Sequence, residues 1–175
     1  MNLLNCFLLF TTLSYSSLTG NDELIQLREG FRQAVVNQQV DAFYHQVTIN
    51  NSDESVIQAY TACAYALKAK TAWNPFTKLS QVRMYEQLME QASLKSPNNI
   101  EIRFLRFSIE YNLPTWLGMS EHLNEDQQYI ASHIMDIQEL MLHPEYARYI
   151  LYFIQETGLF KEKTITGLQQ ALVKE

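Results

Sequence analysis

Arg103 and Arg106 stand three residues apart in the segment 100–111, IEIRFLRFSIEY, whose remaining residues are mostly apolar. A guanidinium fork binds a carboxylate or phosphate through two parallel hydrogen bonds, so such a pair suits either an anion site or a structural ion pair. Glu110 lies one turn on, and Glu86 and Glu90 lie in the preceding segment. With these partners at hand a structural ion pair is expected, and a small anionic ligand held by Arg103 and Arg106 is the alternative. His133 and Asp136 are spaced for one helix face, with His122 and His143 as further imidazoles. Di-metal helical bundles need a second Glu-x-x-His copy, which is lacking, so hydrogen-bonded or surface histidines are expected and no metal.

Motifs with a built-in mechanism are absent from the sequence. It has no His-Glu-x-x-His, no Cys-x-x-Cys, no Gly-x-Ser-x-Gly elbow and no glycine-clustered phosphate loop. No catalytic residue and no cofactor are therefore assigned, and a non-enzymatic role is expected. Cys63 sits in an alanine-rich stretch and reads as a small buried apolar residue.

The elements that must position these residues read as helices. Five glycines and four prolines in 175 residues are too few for the turns of a sandwich or barrel. Apolar residues at helical spacing predict helices over 22–38, 53–71, 75–94, 100–111, 124–141 and 145–156. A short apolar piece at 40–47 and a last short helix around Leu168 and Leu172 complete the set. Asn51 with Glu54, and Asn124 with Gln127, have capping-box spacing. Asn74-Pro75 reads as an N-cap followed by proline at the first helical position. The segment 100–111 is apolar on most sides and belongs in the middle of a stack. The fold class expected is all-α: six to seven helices as antiparallel hairpins joined by short loops.

If successive helices alternate in direction, loops 73–76 and 112–118 fall at one end. That gathers Trp73, Pro75 and Phe76 with Leu113, Pro114, Trp116 and Leu117 as a candidate interaction surface. The expectation is that both loops fold inward and plug the core, with an exposed docking rim as the alternative.

A net charge of −6 and a pI near 5.2 argue against nucleic acid as a partner. The basic pairs Lys68 with Lys70 and Lys161 with Lys163 are short and diluted, which also argues against an electrostatic membrane anchor. Residues 1–20 read as a cleaved signal peptide, with an apolar run from Leu3 to Leu13 and then small and polar residues up to Gly20. The basic residue that normally opens such a leader is missing. Residues 21–175 would then form a single exported domain, periplasmic or secreted, or membrane-tethered were the leader retained. No stable membrane span is expected after cleavage.

The hairpin from Asp53 to Leu94, followed by Ser96-Pro97-Asn98-Asn99-Ile100-Glu101, resembles the tetratricopeptide class of helical repeat. Ala92 and Pro97 match its helix-closing alanine and its proline; Arg103, Arg106 and Phe107 depart from its pattern, and no clean 34-residue period recurs. The resemblance implies a tetratricopeptide-like stack. The segments ALKAKTAWNPFTKL (66–79) and PNNIEIRFLRFSIEYNLPTWLG (97–118) are also similar to a family of short exported bacterial proteins, which implies a helical fold and export but no chemistry. The function expected is that of a non-catalytic, exported interaction module with a protein partner. A bundle that binds a small anionic ligand or carries an undetected activity is the alternative.

Overall fold

The computed structural model describes residues 20–49, 52–113, 120–133 and 144–173. Among them are eight α-helices and no strand: α1 (Gly20–Val36), α2 (Val40–Thr48), α3 (Ser55–Thr71), α4 (Pro75–Lys95), α5 (Ile100–Asn112), α6 (Leu123–Ser132), α7 (Pro144–Thr157) and α8 (Glu162–Val173). The piece at 40–47 is thus a helix in its own right. Apart from Gly20, the expected leader lies outside the described residues. So do Pro114, Trp116, Leu117, Asp136 and His143.

Local chemistry explains some helix starts and not others. Asn74 Oδ1 accepts the Phe76 N–H at 2.8 Å, with Pro75 at the first helical position of α4. Asn99 Oδ1 accepts from both Glu101 N and Ile102 N and so opens α5. Neither expected box supplies the N-cap: Asn51 lies outside the described residues, and Asn124 falls inside α6. At α3 the N-cap is Glu54, whose own N–H goes to Ser52 Oγ at 3.2 Å. At α6 the helix starts one residue early, at Leu123 behind His122. A distant carboxylate, Glu110 Oε2, accepts the His122 N–H at 3.2 Å, and this tertiary bond displaces the local box. Gly158, at φ +64°, follows α7 in the left-handed conformation that glycine adopts without strain.

The alanine stripe of α3 (Ala59, Ala62, Ala64, Ala66 and Ala69) is buried, and α3 makes its most extensive contact with α4. Small side chains let helix axes approach closely. Gly30 serves the same end between α1 and α2, since a Cβ there would lie 3.0 Å from Phe43 Cδ2 and overlap the Gln46 side chain. Its cost in helix propensity, about 1 kcal/mol relative to alanine, is thus tied to a close helix approach. Lys95 Nζ donates to Asp53 O at 3.3 Å, which makes α3 and α4 an antiparallel hairpin. Ser55 bonds Ser96 and Tyr60 bonds Glu101, so α3 and α5 run in the same direction.

Edge-to-face rings knit the centre across α1, α3, α5 and α7: Phe31–Tyr60 at 5.9 Å, Phe31–Tyr149 at 6.0 Å and Phe104–Tyr149 at 6.3 Å. Each such pair contributes roughly 0.5–1.5 kcal/mol beyond the area it buries.

Cys63 is fully buried in this core, and burial pushes its thiol well above the ordinary range. In a Cys6→Ser background, Ellman's reagent at neutral pH should label Cys63 only as fast as the protein unfolds. Labelling at the rate of a free thiol in native buffer would contradict this burial.

Candidate functional site

Two buried polar clusters organise the described residues. The first ties four helices together. Arg28 of α1 donates from Nε and Nη2 to the two carboxylate oxygens of Glu101 on α5, both at 2.8 Å. Tyr60 of α3 donates to Glu101 Oε1 at 2.6 Å, which leaves its oxygen to accept from Tyr146 of α7 at 2.9 Å. All four residues are buried. Burial works against the charge on Arg28, but the bonds and charge of Glu101 outweigh it, so the guanidinium is held above its ordinary pKa. Burial and the Glu101 charge push both phenols well above theirs. Sequence reasoning missed this cluster. A signal was available, because Arg28 sits at helical spacing among Leu24, Leu27 and Phe31, on the face that goes inward.

The second cluster clamps α6 onto α5. Arg106 forks onto Asp126, Nε to Oδ2 and Nη2 to Oδ1, both at 2.7 Å. Arg103 donates to Asp126 at 2.9 Å, to Glu125 at 2.5 Å and to the Pro97 carbonyl at 2.8 Å. Its guanidinium also covers the Tyr129 ring at 4.6 Å. The arginines therefore pair with α6 rather than with Glu110, Glu86 or Glu90. Arg106 turns Nε and Nη2 to Asp126, and Arg103 turns Nε and Nη1 to the Pro97 carbonyl and the two carboxylates.

Glu110 instead holds His122, through the backbone N–H and through Nδ1 at 3.0 Å. Burial raises the Glu110 carboxyl above its ordinary 4.5, against the bond and charge of His122 and the charge of Arg106. A carboxyl raised on folding stabilises most below its unfolded pKa, and that contribution is lost as pH rises through the folded value. Relative to the parent, Glu110→Gln should thus gain stability as pH rises through and above the ordinary carboxyl value of 4.5. Urea midpoints on both sides of that value test this, and a flat difference or a falling one would contradict it.

Around this pair an open cleft of about 380 Å³ runs between α4 and the α5–α6 junction. Tyr85, Met89, Glu90, Arg106, Glu110 and His122 line it. The Tyr85 hydroxyl is buried without a hydrogen-bond partner among the described residues. The carboxylates of Glu86, Glu90, Glu110 and Glu121 line the cleft beside the guanidinium of Arg106. His133 is bonded to α6, and its candidate partners Asp136 and His143 lie outside the described residues. Its ring stacks on Tyr129 at 4.0 Å, and Nδ1 lies 3.0 Å from the Tyr129 carbonyl. Among the described residues no group of three or more His, Cys, Asp or Glu could hold a metal ion.

On the 73–76 side the candidate interaction surface does not fold inward, while Pro114, Trp116 and Leu117 of the other loop lie outside the described residues. Trp73 is 98% exposed and Phe76 84% exposed, with Pro75 exposed between them. Leu113 is half-buried. The physical reason is a mismatch of helix lengths. Tyr85 and Met89 of α4 share the cleft with Arg106 and Glu110 of α5, and α4 has 21 residues where α5 has 13. On that antiparallel register α5 ends beside the third turn of α4, and the earlier turns of α4 have no α5 alongside. Every residue from Trp73 to Ser80 is exposed as a result.

No protein-family model matches the chain, and comparison with curated proteins and with solved structures returns no significant match.

Proposed function

We propose that this chain is a non-catalytic, exported binding module that docks through the tip of the α3–α4 hairpin. The observation that carries the reading is the near-complete exposure of Trp73 and Phe76 on one short turn. Large aromatic side chains bury more area than any others when they find a partner, and a folded chain rarely leaves two of them together in water without use. Ile49, Leu94 and Tyr152, also exposed, stand singly after α2, near the end of α4 and in α7. The arginine and carboxylate groups of the two buried clusters are engaged with one another, which supports a structural rather than a chemical role for them. In the same proposal the α3–α4 hairpin is the unit behind the tetratricopeptide resemblance, with Ala92 fully buried where the helices close and Pro97 in the turn to α5.

The test is photo-crosslinking in the native cells. A benzophenone amino acid at position 76 should form adducts, while the same residue at position 152, on exposed α7 surface, should not. Absence of adducts at position 76, or equal yields at both positions, would overturn the reading.

A further inference from the structure

We propose that the occupant of the α3–α4 tip is an anionic lipid surface, into whose headgroup layer Trp73 and Phe76 insert. The inference rests on the reading of the tip as a docking surface and names what it docks to. Charge is the first argument. The chain carries 19 acidic residues, yet none lies between Ser55 and Tyr85, where Lys68, Lys70, Lys78 and Arg83 all fall. Lys68 is bonded to Asp41 at 2.6 Å. Lys70, Lys78 and Arg83 are exposed and hold no ion pair among the described residues. In the linear sequence these cations look diluted. The hairpin brings Lys70 and Lys78 to the two sides of one turn, within two turns of helix from Trp73.

Area is the second argument. Every residue from Trp73 to Ser80 is exposed, and the large apolar side chains of this run are Trp73, Phe76 and Leu79. Together they offer roughly 500 Å², whereas a stable protein interface takes about 800 Å² from each partner. A bilayer makes no such demand. Tryptophan and phenylalanine at the tip of a protrusion reach the headgroup level, where amphipathic rings are favoured, and lysine stems lie along the surface with their ammonium groups on lipid phosphates. Val36 is also exposed. It lies at the same end, because the Lys68–Asp41 bond sets the α1–α2 turn beside the end of α3. Among the described residues no helix is long and apolar enough to cross a membrane, so the attachment proposed is peripheral and reversible.

The experiment uses the full chain in a Trp116→Phe background, leaving Trp73 as the sole tryptophan fluorophore. Vesicles of phosphatidylcholine alone and of phosphatidylcholine with phosphatidylglycerol are compared by co-sedimentation and by tryptophan emission. Expected are binding to the anionic vesicles, a blue shift of Trp73 emission, and quenching by brominated acyl chains. Lys70→Glu with Lys78→Glu should lower the partition coefficient by more than about tenfold, and salt near 0.5 M should do likewise. Trp73→Ser with Phe76→Ser should abolish the binding while leaving the unfolding curve unchanged, since both side chains are in solvent. Absence of binding to anionic vesicles overturns the proposal. So does binding that survives both double substitutions, as it would if the leader were inserting. A protein adduct at position 76 together with silent vesicles would overturn the lipid occupant and leave the docking tip standing. Silence in both experiments would remove both.

Discussion

Asp126→Ala is expected to cost about 3–5 kcal/mol and to release α6 from the rest of the fold. Asp126 is fully buried and accepts three hydrogen bonds from two guanidinium groups. Without it Arg103 keeps Glu125 and the Pro97 carbonyl, but Arg106, 7% exposed, loses its carboxylate partner. Leaving a buried charge uncompensated costs more than the pair itself contributes. A ten-residue helix cannot persist alone in water. Hydrogen exchange should therefore accelerate across residues 123–132 before the remainder opens, and the urea midpoint should fall. Asp126→Asn keeps the shape and one acceptor, and about half the loss is expected. Native exchange in α6 of the alanine variant would show that the clamp does not hold the helix.

The second large effect belongs to Glu101. Glu101→Ala strands Arg28 in the core and takes the carboxylate from Tyr60, so about 3–5 kcal/mol should be lost from a total of roughly 5–15. Replacing both charges, Arg28→Met with Glu101→Leu, should recover most of that loss, because no unpaired ion remains and the volume is filled. Tyr60 and Tyr146 would still have each other. Urea denaturation of Arg28→Met, Glu101→Leu and the double variant closes a thermodynamic cycle. A double variant no more stable than either single would mean that the ion pair itself, rather than relief from a stranded charge, carries the stability.

The two arginine clusters do different work. The Arg28 cluster joins α1, α3, α5 and α7 at the centre, and the Arg106 cluster fastens a short helix on one side. Neither touches the α3–α4 tip. The exposed aromatic residues there can therefore be changed with little effect on folding, within about 0.5 kcal/mol. That separation makes the crosslinking and vesicle experiments interpretable.

Much of the helical framework was legible in the sequence, because it is decided within a few residues. Apolar spacing marks the inward faces, Asn74-Pro75 and Asn99 start helices with their own side chains, and glycine at position 158 ends one. The burial of α5 was also readable, since a helix apolar on most sides has no face to give to water. Partners were not readable in this way. Helical spacing ranks Glu110 as the obvious neighbour of Arg106, yet the carboxylate that takes its fork is 20 residues away, and Arg28 meets Glu101 across 73. A single sequence carries no trace of which distant side chains share a cavity. The same holds where tertiary bonds overrode local caps, as Glu110 did at His122. Whether Trp73 pointed in or out was also beyond local chemistry. It followed from the different lengths of α4 and α5 and the register at which they pack, quantities that exist only once the helices are assembled.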